Sequence, residues 1–478
     1  MSKLLNQLEE AAGVFRDFGP KTTLTNYQEK DGVKTRVLPP CEFRGEITDH
    51  NDKPCCGGKI TREELFGCAN RLNTKKAAWS VMCEGCRLPK TQKALEAVGN
   101  KSFPQPAVPL PNSAPRPNIT PIPKKSARVL EGVKRLVLCC QLSPGDVTMM
   151  TVSLRDLHRA YPGKFLTDVR TSVDAIWEHN PYITKFDEPF VPQVAELAWQ
   201  TKTPREQDDI TFIPMEYPLV NNCSRPFHFI HGYVQHLERQ LNLEIPVTDF
   251  KGDIYISDAE KSWMSQLEER GINDRFWIIM AGGKQDYTAK WWSPYSYQKV
   301  VDHFKGRITF VQAGQADHWH PPLSGVVNLV GQTDFRQFIR LVYHSSGVLC
   351  PVTFAMHGAA AIPSRHSPAH RPCVVISGGR EHTHWEAYPN HRFLSLQGAL
   401  PCCETGGCWK SRCTPIGDGD EKDRSNMCEN FVEIPNPAKQ LLMHDTLRIP
   451  KCMDMIRPED VIRAIEGYYE GGVLFYNQ

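Results

Sequence analysis

From about residue 130 onward, short runs of consecutive apolar residues alternate with stretches whose apolar positions recur every three or four residues. The first run, RLVLCCQ at 135–141, has the unbroken apolar character of a strand buried on both faces. After the Ser143-Pro144-Gly145 turn, Val147, Met150, Leu154, Leu157 and Tyr161 follow at helical spacing. A second strand is predicted at 165–169 and a second helix at 173–179. The alternation restarts after Asp274: strand FWIIMAGG, helix 295–304, strand ITFVQAG, helix 334–343, strand GVLCPV, a helix opening at 356–362, and strand CVVIS. A last helix is predicted at 458–469. Two successive strand–helix series predict an α/β chain with two doubly wound domains facing each other across a cleft. In such sheets ligands lie outside the carboxyl ends of the strands, so the loops after these strands are where chemistry belongs.

Upstream, FPQPAVPLPNSAPRPNITPIPKK carries too much proline for helix or ladder and reads as a semi-rigid extended linker. The predicted organisation is a cysteine-rich module at 1–102, the linker at 103–127, a first domain at 128–272, and a second at 273–478 carrying an insertion at 400–455. The chain of 478 residues is 40% hydrophobic and 23% charged with a net charge of +2, which gives no strong field for nucleic acid or an anionic membrane. There is no apolar run of about 18 residues to span a bilayer and no apolar signal core at the N-terminus. A cytoplasmic location is therefore expected, where disulfides are rare and the 17 cysteines need another account. Cys139, Cys140, Cys223, Cys350 and Cys373 sit in or beside apolar runs and read as small buried hydrophobes.

Asp146, in SPGDV, occupies a strand-to-helix turn opening on the expected cleft. A carboxylate there can deprotonate an attacking hydroxyl, or simply complement the free N–H groups and dipole of a helix start. The stretch RLVLCCQLSPGDVTMMTVSLRDLHRAYPG, with IWEHNPYIT downstream, resembles the opening of the heptosyltransferases of glycosyltransferase family 9. The resemblance extends over roughly 130–471 and implies a GT-B-type pair of Rossmann-like domains, with the last helix crossing back toward the first domain and Asp146 as catalytic base beside Gly145.

In the second half, MAGGKQDYTAKWWSPYSYQKVVDHF resembles the family's strand, glycine and lysine–aryl stretch. Lys290 takes the lysine position, suited to a departing diphosphate, and Gly282 and Gly283 would let backbone approach the phosphates. GVLCPVTFAMHGAAA resembles the family's loop into a small-residue helix, making Thr353, Met356 and His357 donor-site candidates at a helix N-terminus. Where the family usually has an acidic residue, this chain has Val352. In GGREHTHWEAYPNH, Arg380 suits a phosphate and Trp385 a base or sugar face. His228 and His231 are candidates for acceptor contact. The implied donor is a nucleotide-sugar, with ADP-heptose suggested by the resemblance. The acceptor is a glycan or protein, and homo-oligomerisation is compatible with the reading.

Two cysteine clusters call for thiolate-bound metal. In 400–455 the preferred ligands are Cys403, Cys408, Cys428 and Cys452, with Cys402 and Cys413 as substitutes. This insertion resembles the iron-binding finger of the autotransporter heptosyltransferases, and thiolates alone do not separate iron from zinc. In the N-terminal module Cys83-x-x-Cys86 has zinc-ribbon spacing. It would be completed by Cys68 and by Cys55 or Cys56, with Cys41 as an alternative. Acidic residues among the module's lysines and arginines leave no basic stripe for nucleic acid, so a protein-contact or scaffold role is expected there.

Overall fold

In the computed structural model the chain divides into two compact units, Met1–Thr120 and Pro121–Gln478. The structure describes residues 132–216, 228–366 and 370–477, together with the backbone of three short strands in the first unit. Those strands, Tyr27–Lys30, Val33–Val37 and Lys59–Ile60, form an antiparallel sheet. The N-terminal metal candidates Cys41, Cys55, Cys56, Cys68, Cys83 and Cys86, and also Cys223, lie outside the described residues.

The larger unit opens with β1 (Lys134–Cys140), whose last five residues are buried. Pro144 then sits in the first turn of α1 (Pro144–Ala160), where its missing N–H costs nothing. β2 (Phe165–Thr171), α2 (Val191–Thr201), β3 (Arg205–Gln207), β4 (Ile210–Pro214) and α3 (Phe229–Leu241) complete the first half. Its sheet has the order β2-β1-β4-β3, with β3 antiparallel at the edge. The helix expected at 173–179 is reduced to a single turn, Asp174–Ile176. Asn180 precedes Pro181, which disfavours helical backbone, and His179 is left-handed at φ 59°.

The second half comprises β5 (Phe276–Ile279), α4 (Pro294–His303), β6 (Thr309–Gln312), β7 (Val327–Asn328), α5 (Phe335–His344), β8 (Gly347–Pro351), α6 (Phe354–Ala361), β9 (Cys373–Gly378) and β10 (His391–Ser395). All six strands are parallel in the order β7-β6-β5-β8-β9-β10. Numbered within this half, that is 3-2-1-4-5-6, the doubly wound order whose direction reverses between β5 and β8. The reversal leaves a crevice at the carboxyl ends of those two strands, where Gly282, Lys290 and Thr353 follow. The insertion ends in a hairpin of β11 (Phe431–Pro435) and β12 (Thr446–Pro450).

The largest apolar cluster among the described residues runs through both halves, because α1 packs on α3 and on α6; Leu136, Met150, Tyr233, Ile278, Met356 and Trp385 all belong to it. Cys139, Cys140, Cys350 and Cys373 are buried thiols of the strands. The closing helix α7 (Pro458–Glu470) does not direct its apolar face to the first sheet. Val461, Ile465 and Tyr468 join the core on the second sheet with Trp277, Val374 and Ile376. Tyr469 Oη accepts from Trp277 Nε1 at 2.9 Å. No helix among the described residues is long and apolar enough to cross a membrane.

Candidate functional site

The first turn of α1 meets the second half at a close approach. A Cβ added at Gly145 would lie 2.5 Å from His357 Cδ2 and 2.8 Å from Nε2, so the histidine of α6 rests on bare backbone. Asp146 follows directly, and its carboxylate accepts the Ser143 N–H at 3.1 Å. Burial raises the Asp146 carboxyl to about 7; Lys290 and the Ser143 N–H act against that rise, and Glu381 adds to it. A carboxyl near neutrality, opposite a lysine on another loop, is poised to exchange a proton at physiological pH.

Lys290 Nζ donates to the Val352 carbonyl at 3.1 Å and stands 3.1 Å from Glu381 Oε1. Residue 352 offers Lys290 only its backbone carbonyl, and the carboxylate that Lys290 meets comes from the loop after β9. Glu381 is buried and also pairs with Arg380. Burial by itself would raise its carboxyl, but Arg380 and Lys290 outweigh burial and hold it below the ordinary range. Arg380 donates from Nε to the Lys410 carbonyl at 2.6 Å, with its guanidinium 5.3 Å from the Tyr287 ring centre and 5.4 Å from that of Trp409. Two cations thus converge on one buried carboxylate beside the crevice.

Behind them lies a group of buried polar side chains. His357 Nδ1 is 2.8 Å from the Tyr388 hydroxyl, and its Nε2 is 3.9 Å from Glu386. Burial lowers the imidazole to about 3, with His228 and Lys290 adding to the effect. Burial and the Glu381 charge raise the Glu386 carboxyl well above its usual range. The imidazole is therefore neutral at pH 7, and its proximity to Glu386 is not an ion pair. His228 caps α3 through Nδ1, and its Nε2 is 3.2 Å from the Ala387 carbonyl, so one ring nitrogen starts the helix and the other ties the halves together. His231 lies 5.4 Å from the Phe250 ring.

Several candidates serve different ends from those the sequence suggested. Trp385 is 1% exposed and stacked on Trp409 at 4.6 Å, so it has no free face for a base or sugar. Met356 is fully buried core. Gly282, at φ 103°, is required because a Cβ there would lie 2.0 Å from the Trp319 carbonyl, and the Gly283 N–H donates to that same carbonyl at 2.8 Å. Gly282 is thus the residue that admits the Trp319 loop. Thr353 precedes α6 as its N-cap, and its Oγ1 is enclosed with no hydrogen-bond partner among the described residues.

The six cysteines of the insertion gather beside the same loops. A Cβ at Gly379 would meet Cys403 Sγ at 2.7 Å, and one at Gly378 would meet Cys452 Sγ at 3.1 Å. Cys428 is lowered to about 7 by a hydrogen bond from Cys413, against burial, which brings Cys413 from substitute to direct partner of Cys428. The Cys403 thiol donates instead to the Leu400 carbonyl at 3.3 Å. A cluster of thiols is the donor chemistry of zinc or iron. A tetrahedral thiolate shell needs sulfurs about 3.8 Å apart. Among the described residues, the one group whose ligand atoms all fall within 4.8 Å is Glu178, His179 and Glu260, so the finger's sulfurs are gathered but not closed into a shell. In the acidic group the cation is already supplied by Arg336, 2.5 Å from Glu260 and 3.5 Å from Glu178.

Glu381, Glu386, Tyr388 and Thr288 escaped the sequence reading. Glu381 adjoins Arg380 in GGREH, and a charged pair after a glycine-ended strand was the available signal. The other three sit in unremarkable contexts, and only the packing brings them in.

No protein-family model and no curated protein matches the chain. Similar solved structures include E. coli ADP-heptose LPS heptosyltransferase II, at 14% identity over 72% of this chain and 100% of that one, with a TM-score of 0.45. A second is TibC, the iron-containing dodecameric glycosyltransferase of enterotoxigenic E. coli, at 15% identity over 71% and 80%, with a TM-score of 0.47. A third is E. coli heptosyltransferase WaaC with ADP, at 14% identity over 55% and 94%, with a TM-score of 0.39.

Proposed function

We propose that this chain is a glycosyltransferase that moves a sugar from a nucleotide-sugar donor to a hydroxyl of a glycan or protein. The observation that carries the reading is Asp146 in the first turn of α1, its carboxyl near 7 and within the field of Lys290, which with Arg380 converges on Glu381. Asp146 takes the proton of the acceptor hydroxyl while that oxygen bonds to the sugar's anomeric carbon. The bond from that carbon to the donor phosphate breaks, and its electron pair leaves on the nucleoside diphosphate. Lys290, Arg380 and the N-terminus of α6 near Thr353 and His357 neutralise the leaving group. Glu381 holds the two cations together until the diphosphate takes its place as their counter-charge. The sequence resemblance to family 9 makes ADP-heptose the first donor to try. The finger is proposed to bind zinc or iron through Cys408, Cys428 and Cys452, with Cys403 or Cys413 as the fourth ligand. That metal would supply folding energy to the insertion and no chemical step.

A second reading, a non-catalytic sugar-nucleotide scaffold that contacts protein through its cysteine modules, draws on Val352 standing where an acidic residue is usual in the resembled family. Release of nucleoside diphosphate from a panel of nucleotide-sugars separates the two. A transferase turns over one donor in wild type and none in Asp146→Ala, which should still bind nucleotide. Equal turnover by Asp146→Ala would remove the assignment of the base.

A further inference from the structure

The finger reaches deeper into the body than a stapled insertion requires. Its segment 407–414 touches both loops that carry the cations. On one side the Ala289 N–H donates to the Ser411 carbonyl at 3.1 Å. The fully buried Thr288 hydroxyl donates to the Thr414 carbonyl at 2.7 Å and accepts the Cys413 N–H at 2.8 Å. Lys290 follows two residues later. On the other side Arg380 donates to the Lys410 carbonyl at 2.6 Å, and its own carbonyl accepts the Trp409 N–H at 3.4 Å. A further link is ionic: Arg412, 0% exposed, stands 2.6 Å from Asp418, 2.7 Å from Asp423 and 3.6 Å from Asp286.

Lys290 follows β5 and Arg380 follows β9, and β8 lies between those strands. Parallel neighbours are about 4.8 Å apart, so the two loops start about 10 Å from each other with no shared backbone ladder. Glu381 draws the cations together only while it is their counter-charge. Once a diphosphate competes for them, the finger's hydrogen bonds are what keeps their spacing.

We infer that segment 407–414 sets the separation of Lys290 and Arg380, and that Thr288 is a positioning residue for diphosphate recognition. This rests on the transferase reading of that pair. The probe is inorganic pyrophosphate, titrated calorimetrically into the full chain and its variants. Thr288→Val keeps the shape and removes both hydrogen bonds; it should weaken pyrophosphate binding about tenfold, while Thr288→Ser stays within about twofold of wild type. Asp286→Asn, on a half-exposed side chain, loosens the separate ionic link and should weaken binding about threefold. Valine binding as tightly as wild type overturns the inference, and so does serine losing as much as valine. If the valine variant does not fold, unchanged affinity in Asp286→Asn overturns it instead. Binding lost in Lys290→Ala but kept in Thr288→Val sinks this inference alone. A wild type that binds no pyrophosphate sinks the transferase reading with it.

Discussion

Gly145→Ala adds one methyl group where the two halves touch, and opposing effects decide its sign. Gly145 lies in the first turn of α1 without a left-handed backbone, so alanine fits its conformation. Restricting the unfolded chain favours the variant by about 0.5–1 kcal/mol. Against this, the new Cβ would sit 2.5 Å from His357 Cδ2, nearer than real Cβ contacts allow. The ring has little room to yield, because it is buried, holds the Tyr388 hydroxyl at 2.8 Å and is 3.9 Å from Glu386. Overpacking of this kind costs about 1–3 kcal/mol, so the clash should win by about 1–2 kcal/mol. In a body of this size that lowers the melting temperature by about 2–3 °C. Asp146 is the next residue, and a displacement of about 1 Å at a catalytic group is worth about a hundredfold in rate. Thermal melting and donor turnover would be measured on the same preparation. A variant that melts higher than wild type and turns over donor normally would refute the contact and the placement of Asp146 together.

For Asp146 as the proposed base, kcat/KM should climb tenfold per pH unit below about 7 and level off above it, since only the deprotonated carboxylate can take the proton. The folded-state value is raised, so the contribution of Asp146 to stability is full below about 4 and lost as pH rises through about 7; Asp146→Asn should flatten that part of a melting-versus-pH curve. Arg371 is 2% exposed, donates to the carbonyls of Ser345, Ala359, Ile362 and Pro363, and is pulled down to about 9 by burial. Arg371→Met should cost about 3 kcal/mol in urea unfolding, the stranded carbonyls outweighing relief from burying the charge, and an unchanged midpoint would contradict this. Cys428→Ser should lower the metal content of the purified protein by elemental analysis, whereas Cys402→Ser, on an exposed cysteine, should leave it closer to wild type.

What was legible in the sequence is what local pattern controls. Apolar runs at 135–141, 276–279, 347–351 and 373–377 named the buried parallel strands, because a strand covered on both faces has no polar position to interrupt it. The turn at Ser143-Pro144-Gly145 placed Asp146 at a helix start, and the glycine-ended loops placed Lys290 and Arg380 after strands. The helix expected at 173–179 failed because Pro181 outweighed the spacing of Val173, Ile176 and Trp177. Tertiary structure alone decided which side chains share an environment. Trp385 and Gly282 read as ligand contacts, yet one is sealed under Trp409 and the other admits Trp319. Glu381 meets Lys290 from a loop two strands away in the sheet, a contact no local pattern announces. Burial raised the Asp146 carboxyl to about 7, left His357 neutral and pushed the Glu386 carboxyl upward. Periodicity arises within a few residues of chain, whereas the cost of desolvating a charge depends on every atom packed around it. The first can be read from the sequence, and the second only from the fold.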